Sequence, residues 1–346
     1  MNAAGVAAAG AQTGDAQAAG AKPGRVVVLG IYVTDLTFRA ARMPVPGETI
    51  GGTAFRMGPG GKGSNQAVAA ARAGADVVFC TRLGDDAFGA IARATWAAER
   101  ITARAGVADG AATGAAHIFV DDSSGQNAII VVAGAAATLG PADVDAIEDD
   151  IAGAQVFVTQ LEQPVEAAWR GLETARRHRV TTVFNPAPAL PLDDAMFALC
   201  DYITPNETEA ATLTGERVDD VAGARRAGDA LLKKGVGTAI ITLGEHGALL
   251  HGPDRSVLVP AFRCGRVVET AGAGDGFTGG FAAALANGMD ARDAVRFGCA
   301  LAGLSVTRPG TAPSMPTLDE IRAAIAAADR DAAAAHQPPA TQETVR

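Results

Sequence analysis

Short β-branched runs recur along this chain, separated by stretches of helix formers, and no other feature restricts its possible folds as much. Arg25-Val26-Val27-Val28-Leu29-Gly30 is the clearest run; residues 76–80, 154–159, 181–184 and 238–242 are others. Each is apolar enough to be buried on both faces. Residues 64–73, 86–100, 165–179 and 221–234 read as helices between them. Strands that alternate with helices imply βαβ units, hence a mostly parallel sheet with helices on both faces. Two segments break the rhythm. Residues 46–57 and 115–132 look like paired strands with no helix between them, and Asp121-Asp122-Ser123-Ser124-Gly125 reads as a hairpin turn. The expectation is an α/β body with a small β lid. Ligands of open α/β sheets bind beyond the carboxyl ends of the strands, and a lid there would exclude water.

The 346 residues allow one large domain or two small ones. With 48% apolar and 19% charged residues, the chain can bury a sizeable core, which excludes a wholly disordered protein. No uninterrupted apolar stretch is long enough for a membrane span. The net charge of −9 argues against a nucleic-acid binder but not against a nucleotide enzyme. Cys80, Cys200, Cys264 and Cys299 are far apart and form no CxxC pair, so a reducing, cytoplasmic setting is expected. The five histidines show no metal-ligand spacing. Residues 1–24 are Ala/Gly-rich with no basic leader region, so they read as a disordered extension; 331–346 reads as a disordered tail. That leaves 25–330 as the folded domain, with the lid at about 36–57 and 115–133.

Two glycine clusters carry the chemistry. Gly58-Pro59-Gly60-Gly61-Lys62-Gly63-Ser64-Asn65-Gln66 runs straight into a helix. Its glycines let backbone approach a ligand, a helix start leaves N–H groups free, and Lys62 and Asn65 add donors suited to hydroxyls. Lys62 is one of only four lysines against 25 arginines, so its place here is informative. The bland alternative is a flexible turn before a helix. A Walker A loop does not fit, since Arg56 stands at its first glycine and Gly63 follows Lys62. The second cluster, Glu269-Thr270-Ala271-Gly272-Ala273-Gly274-Asp275-Gly276, also precedes a helical stretch. Its successive amides suit phosphate charge, and Asp275 is placed to accept a proton from an attacking hydroxyl. The bland alternative for Asp275 is a charge complementing the helix dipole. A dinucleotide fingerprint fails because Phe277 falls at its third glycine, which disfavours an oxidoreductase.

In this order and spacing, the two clusters resemble the signatures of the ribokinase (pfkB-type) sugar kinase family. Asp35, Pro46-Gly47-Glu48-Thr49, Leu83-Gly84-Asp85-Asp86, Thr159-Gln160-Leu161-Glu162, Asn185-Pro186-Ala187-Pro188, Pro205-Asn206-Glu207-Thr208-Glu209 and Thr242-Leu243-Gly244-Glu245-His246-Gly247 match its other segments in order. The likeness covers about residues 25–328. It implies a ribokinase-like three-layer α/β/α fold with a mostly parallel sheet and a small β-sheet lid. The implied reaction is ATP-dependent phosphorylation of the 5-hydroxyl of a pentose. Asp275 would be the base, and the Gly272-Ala273-Gly274 stretch would supply the anion hole with the amides of Ala273, Gly274 and Asp275. Asp35, Gly60, Gly61, Lys62, Gly63, Asn65 and Glu162 would surround the sugar. The nucleotide would lie against Asn206, Cys299 and the segment Thr242, Leu243, Gly244, Glu245, His246 and Gly247, with Gly274 and Asp275 at its phosphate end. Asn206 and Glu209 would organise Mg²⁺, mainly through water. K⁺ would be held by Glu269, Ala271, Ser305, Arg308, Gly310 and Ser314, mainly through backbone oxygens. Relatives of this kind pair as homodimers through their lids, and Ile118-Phe119-Val120 with residues 129–132 leaves apolar strand surface to cover. No nucleic-acid or membrane partner is implied.

Three positions depart from the family pattern. Val33 stands where ribokinases carry an Asn that binds the 2/3 edge of ribose, and a valine offers that edge no hydrogen bond. Family members specific for 2-deoxyribose also place an apolar residue there. Glu269 replaces an Asp beside the K⁺ site, and Cys299 replaces a His near the adenine. D-Ribose is the first expectation as substrate and 2-deoxy-D-ribose the second. A fructokinase- or nucleoside-type kinase follows. A sugar- or nucleotide-binding module without activity would be marked by loss of Asp275 or its glycines, and both are present.

Overall fold

The computed structural model describes residues 22–335. In chain order it begins β1 (Arg25–Leu29), β2 (Val33–Ala40), β3 (Ala54–Gly60), α1 (Lys62–Arg72), β4 (Asp76–Leu83), α2 (Ala87–Ala98), β5 (Thr102–Val107), β6 (Thr113–Asp121) and β7 (Asn127–Gly134). It continues α3 (Pro141–Asp145), α4 (Glu148–Ala152), β8 (Val156–Thr159), α5 (Val165–Arg177), β9 (Thr181–Phe184), α6 (Asp194–Phe197), β10 (Tyr202–Ile203), α7 (Glu207–Thr214) and α8 (Val221–Lys233). It ends β11 (Thr238–Thr242), β12 (Ala248–Gly252), β13 (Arg255–Val259), α9 (Ala273–Ala286), α10 (Ala291–Ser305) and α11 (Leu318–Ala335).

The strands form two sheets. The large one has the order β13-β12-β11-β10-β9-β8-β1-β4-β5, parallel throughout except for β12 and β13 at one edge. Alternation within β1 explains how it is covered on both sides. Val26 and Val28 enter the core layer that holds α1, α9 and α10. Val27 and Leu29 enter the opposite layer with α5 and α8. Close packing is visible where α5 crosses the sheet: a Cβ on Gly171 would lie 2.4 Å from Phe157 Cζ. Asp86 and Asp220 cap their helices through Gly89 N and Gly223 N, which stops each connection cleanly.

The small sheet has the order β3-β2-β6-β7. It is the expected lid, but its boundaries differ. Strand β2 begins at Val33, so Val33 and Asp35 lie on the lid itself, and β3 runs on to Gly60. Conversely, residues 46–53 are not strand. Gly47 turns there with a φ of 83°, and Glu48 accepts from Val45 N and pairs with Arg42. The tail also needs correction. Residues 331–335 continue α11, because an alanine-rich stretch is a strong helix former and Asp329 anchors the helix to Arg296 of α10. The expected extension at 1–24, apart from its last three residues, and the rest of the tail lie outside the described residues. No described helix is long and apolar enough to cross a membrane.

Candidate active site

The site forms where the inward face of the lid meets the first turns of α1 and α9. On the lid, Val33 pairs with Gly60 and Asp35 with Gly58 across β2 and β3. Gly60 lacks a side chain for a local reason: its Cβ would fall 2.2 Å from Asp35 Oδ1. Gly63 is likewise needed for packing, since its Cβ would meet Gly30 Cα at 2.7 Å. These two glycines therefore serve close contacts within the protein, a packing reason for glycine that the sequence did not suggest. Gly61, with a φ of 86°, turns the chain from β3 into α1. Val33 is buried at 3% exposure, and its Cγ1 occupies the space a side chain on Gly114 would need.

Across from the lid, Asp275 sits in the first turn of α9, with 6% exposure. Its two oxygens face amide donors on α1: Asn65 Nδ2 at 2.9 Å from Oδ2 and Gln66 Nε2 at 3.2 Å from Oδ1. An ionised carboxylate only accepts, so it orients every amide behind it. Gln66 must present nitrogen to Asp275 and to Asn185 Oδ1, which leaves its oxygen to accept from Gln160 Nε2 at 2.6 Å. Asn185 in turn donates to Thr204 O. Gln66, Gln160 and Asn185 lie inside segments quoted from the sequence, but their role around Asp275 was not foreseen. Asn65 was expected to face a sugar; one of its amide protons goes to Asp275.

Gly272, with a φ of 78°, is the N-cap of α9. Three amides were expected to form the anion hole, but Ala273 N donates to Thr270 O at 3.2 Å. The amides of Gly274 and Asp275 have no acceptor among the described residues, as helix geometry requires of a first turn. The space where a side chain on Gly274 would project is empty. These features border a cavity of ≈ 150 Å³ walled by Lys62, Asn185, Ala187, Thr204, Asn206, Glu209, Thr242, Gly272, Gly274 and Asp275. Ordinary ligand pockets hold roughly 300–1,000 Å³, so this one suits a phosphoryl group better than a whole nucleotide.

The charges converge on Lys62. The Asp275 carboxylate, ahead of Glu162 and Glu209, holds the Lys62 ammonium above its ordinary range. Burial pushes Glu162 up to about 7, although Lys62 opposes it and donates its backbone N–H to Glu162 Oε2 at 2.8 Å. Burial likewise lifts Asp35 to about 6 and raises Glu209. Glu209 and Asn206 cap α7 reciprocally: Asn206 N donates to Glu209 Oε2 and Glu209 N to Asn206 Oδ1. Thr242 lies beside them, bridged to Asn206.

Other residues named from the sequence lie elsewhere. Leu243 and Cys299 are buried in the two core layers, and burial raises the Cys299 thiol to about 12. Gly244, Glu245 and His246 form an exposed turn, with Gly247 buried behind them. Ala271 is exposed. Glu269 accepts from Gly310 N at 2.9 Å and from Arg56 Nη2 at 3.3 Å. Ser305 and Ser314 turn their hydroxyls to Ala302 O and Thr311 O, and Arg308 pairs with Glu320. A larger cleft of ≈ 860 Å³ runs between residues 258–264, α10 and α11, and of the candidate site residues it reaches only Arg308.

The model of the pfkB family carbohydrate kinases matches residues 24–318. A deoxyribokinase of Salmonella typhi is 38% identical over 299 residues, covering 85% of this chain and 96% of that protein. A ribokinase of Haemophilus influenzae is 38% identical over 296 residues, with 85% and 96% covered. The structure of Arabidopsis thaliana ribokinase complexed with ribose and ATP superimposes with a TM-score of 0.81 at 28% identity, covering 88% of this chain and 99% of that one.

Proposed function

The chain belongs to the pfkB family of carbohydrate kinases, and on that premise we propose that it transfers the γ-phosphoryl of ATP to the 5-hydroxyl of D-ribose. The single observation that carries this reading is Asp275: a buried carboxylate, held by two amides, opening on a cavity that also contains Lys62 and the first-turn amides of α9. Asp275 takes the proton of the sugar hydroxyl as its oxygen bonds to the γ-phosphorus and ADP departs. The amides of Gly274 and Asp275, with the Lys62 ammonium, stabilise charge on the transferring group. Both key elements are intact, which favours an enzyme over a binding module without activity.

Mg²⁺ supplies charge neutralisation to the phosphates of such reactions. Asn206 and Glu209 would hold it through water. The fit is chemical: Glu209 is half-buried, Lys62 is the cation that acts on it, and Mg²⁺ needs few protein ligands. Among the described residues no group of three or more His, Cys, Asp or Glu is placed to hold a metal ion by itself. For K⁺ the fit is narrower. The Glu269 side chain already has Arg56 and Gly310 N as partners, so the carbonyl oxygens of Glu269, Ala271, Ser305, Arg308 and Gly310, with Ser314, would carry the ion.

Val33 supports a second reading, 2-deoxy-D-ribose as substrate. It presents an apolar wall two residues from Asp35, and the ribokinase and deoxyribokinase relatives are equally similar. The deciding experiment is kcat/KM for both sugars with ATP, Mg²⁺ and K⁺. Higher kcat/KM on ribose sustains the first reading, a preference for deoxyribose the second, and activity on neither refutes both. Placement in a reducing, cytoplasmic compartment is supported by four free cysteines among the described residues. Pairing of two copies through the lid is supported by its exposed apolar face, described below.

A further inference from the structure

We propose that Thr311 is a positioning residue whose hydroxyl holds Asp35 in place and ties the lid to the loop that starts α9. Thr311 lies in the segment between α10 and α11, on the body of the protein. Its Oγ1 has one proton to share between two acceptors, Pro59 O on β3 at 3.0 Å and Asp35 Oδ2 on β2 at 3.3 Å. Its backbone packs against the N-cap of α9: a Cβ on Gly272 would lie 3.2 Å from Thr311 Cα. One residue therefore touches both lid strands at the sugar side and the phosphate loop behind them. Its neighbour Gly310 repeats the pattern, since Gly310 N donates to Glu269, which also accepts from Arg56 of β3.

The hydroxyl matters because Asp35 is otherwise poorly supported. Arg56 on β3 is its cationic neighbour, while Glu269 before α9, Asp275 on α9, Glu162 after β8 and Tyr32 before β2 also interact with it. Burial raises the Asp35 carboxyl, and the Thr311 hydroxyl is the largest influence that lowers it. A carboxylate has lone pairs to spare, so this bond leaves acceptor capacity for a substrate hydroxyl. Nothing in the sequence marks Thr311.

The inference rests on Asp35 being the sugar-side carboxylate, so the test includes Asp35→Asn. Sugar KM and kcat are measured between pH 5.5 and 8.5 for the wild type, Thr311→Val, Thr311→Ala and Thr311→Ser. Removing the hydroxyl is expected to raise sugar KM about tenfold, as the loss of a hydrogen bond to a charged group does. kcat should change much less, and the acidic limb of kcat/KM should move to higher pH. Thr311→Ser should restore both, and Thr311→Ala serves if the valine variant fails to fold. Wild-type KM and an unmoved limb in the hydroxyl-free variants, with sugar affinity lost in Asp35→Asn, would overturn the role of Thr311. The same result with a lower melting temperature would mean that the hydroxyl serves Pro59 O alone, which also overturns it. Unchanged affinity in Asp35→Asn would instead refute the reading of the sugar site.

Discussion

The two sheets obey the same two-residue alternation and use it differently. In the large sheet both faces of β1 are apolar and sealed, with Val26, Val27, Val28 and Leu29 all fully buried. In the lid the faces diverge. The inward face carries Val33, Asp35, Gly58 and Gly60. Residues opposite one another share a face, so Leu36, Phe38, Phe55, Met57, His117, Ile130 and Val132 form the outward one. There Phe38, Phe55, Met57, Ile130 and Val132 are 42–66% exposed, and the Phe38 and Phe55 rings meet tilted, with centroids 4.9 Å apart. The body uses apolar side chains to fold. The lid has them on an open surface, where a second copy of the chain would cover them.

The sharpest way to break that comparison is to remove one aromatic from each sheet. Phe157→Ala, in the sealed layer under α5, should cost about 3–5 kcal/mol in urea unfolding. Phe55→Ala should cost about 1 kcal/mol or less. Equal losses would mean that the lid face is as structurally committed as the core. Next, Ile130→Asp should convert a dimer to a monomer in sedimentation at micromolar protein without loss of fold. A wild-type monomer under those conditions would contradict lid pairing. On the inward face, Val33→Asn should shift the kcat/KM ratio toward ribose over deoxyribose about tenfold, since it returns a partner to a buried hydroxyl. No shift would place that hydroxyl away from residue 33.

The smallest expected effect is on pH. Asp35 and Glu162 are raised by burial to about 6 and about 7, so the empty fold disfavours their charged forms. Their contribution to stability is complete below the unfolded carboxylate range and is lost as pH rises through 6 and 7. Sugar binding needs the charged acceptors and should move the opposite way. Between pH 5.5 and 8 the melting temperature of the ligand-free protein should fall slightly while sugar KM falls several-fold. Parallel movement of the two would contradict the assignment of these carboxylates to the sugar.

Much of this was legible in the sequence, for identifiable reasons. Strands β1, β4, β8, β9 and β11 are continuous apolar runs between helices and stood out. Strand β10 has two residues, and β12 and β13 sit at the antiparallel edge, outside the βαβ rhythm. Asp275 and Lys62 were visible because they stand in glycine clusters at helix starts, whereas the Asn206–Glu209 pair came only with the family resemblance. What was not legible depends on tertiary contact. The packing need for Gly60 and Gly63 shows only in the fold, where the carboxylate of Asp35 and the backbone of Gly30 stand where their side chains would be. Gln66 and Gln160 are 94 positions apart and meet only in the fold. Arg56 and Thr311 reach the site from a lid strand and a distant loop.

The central claim is a division of labour: Asp35 on the lid binds the sugar, and Asp275 at the start of α9 performs the transfer. The measurement that tests it most directly is kcat with ATP, alongside the equilibrium Kd for the sugar, in Asp35→Asn and Asp275→Asn. The account predicts that Asp275→Asn loses about 10²–10⁴-fold in kcat with sugar Kd little changed, while Asp35→Asn loses mainly sugar affinity. Near wild-type turnover in Asp275→Asn, or unchanged sugar Kd in Asp35→Asn, would contradict it.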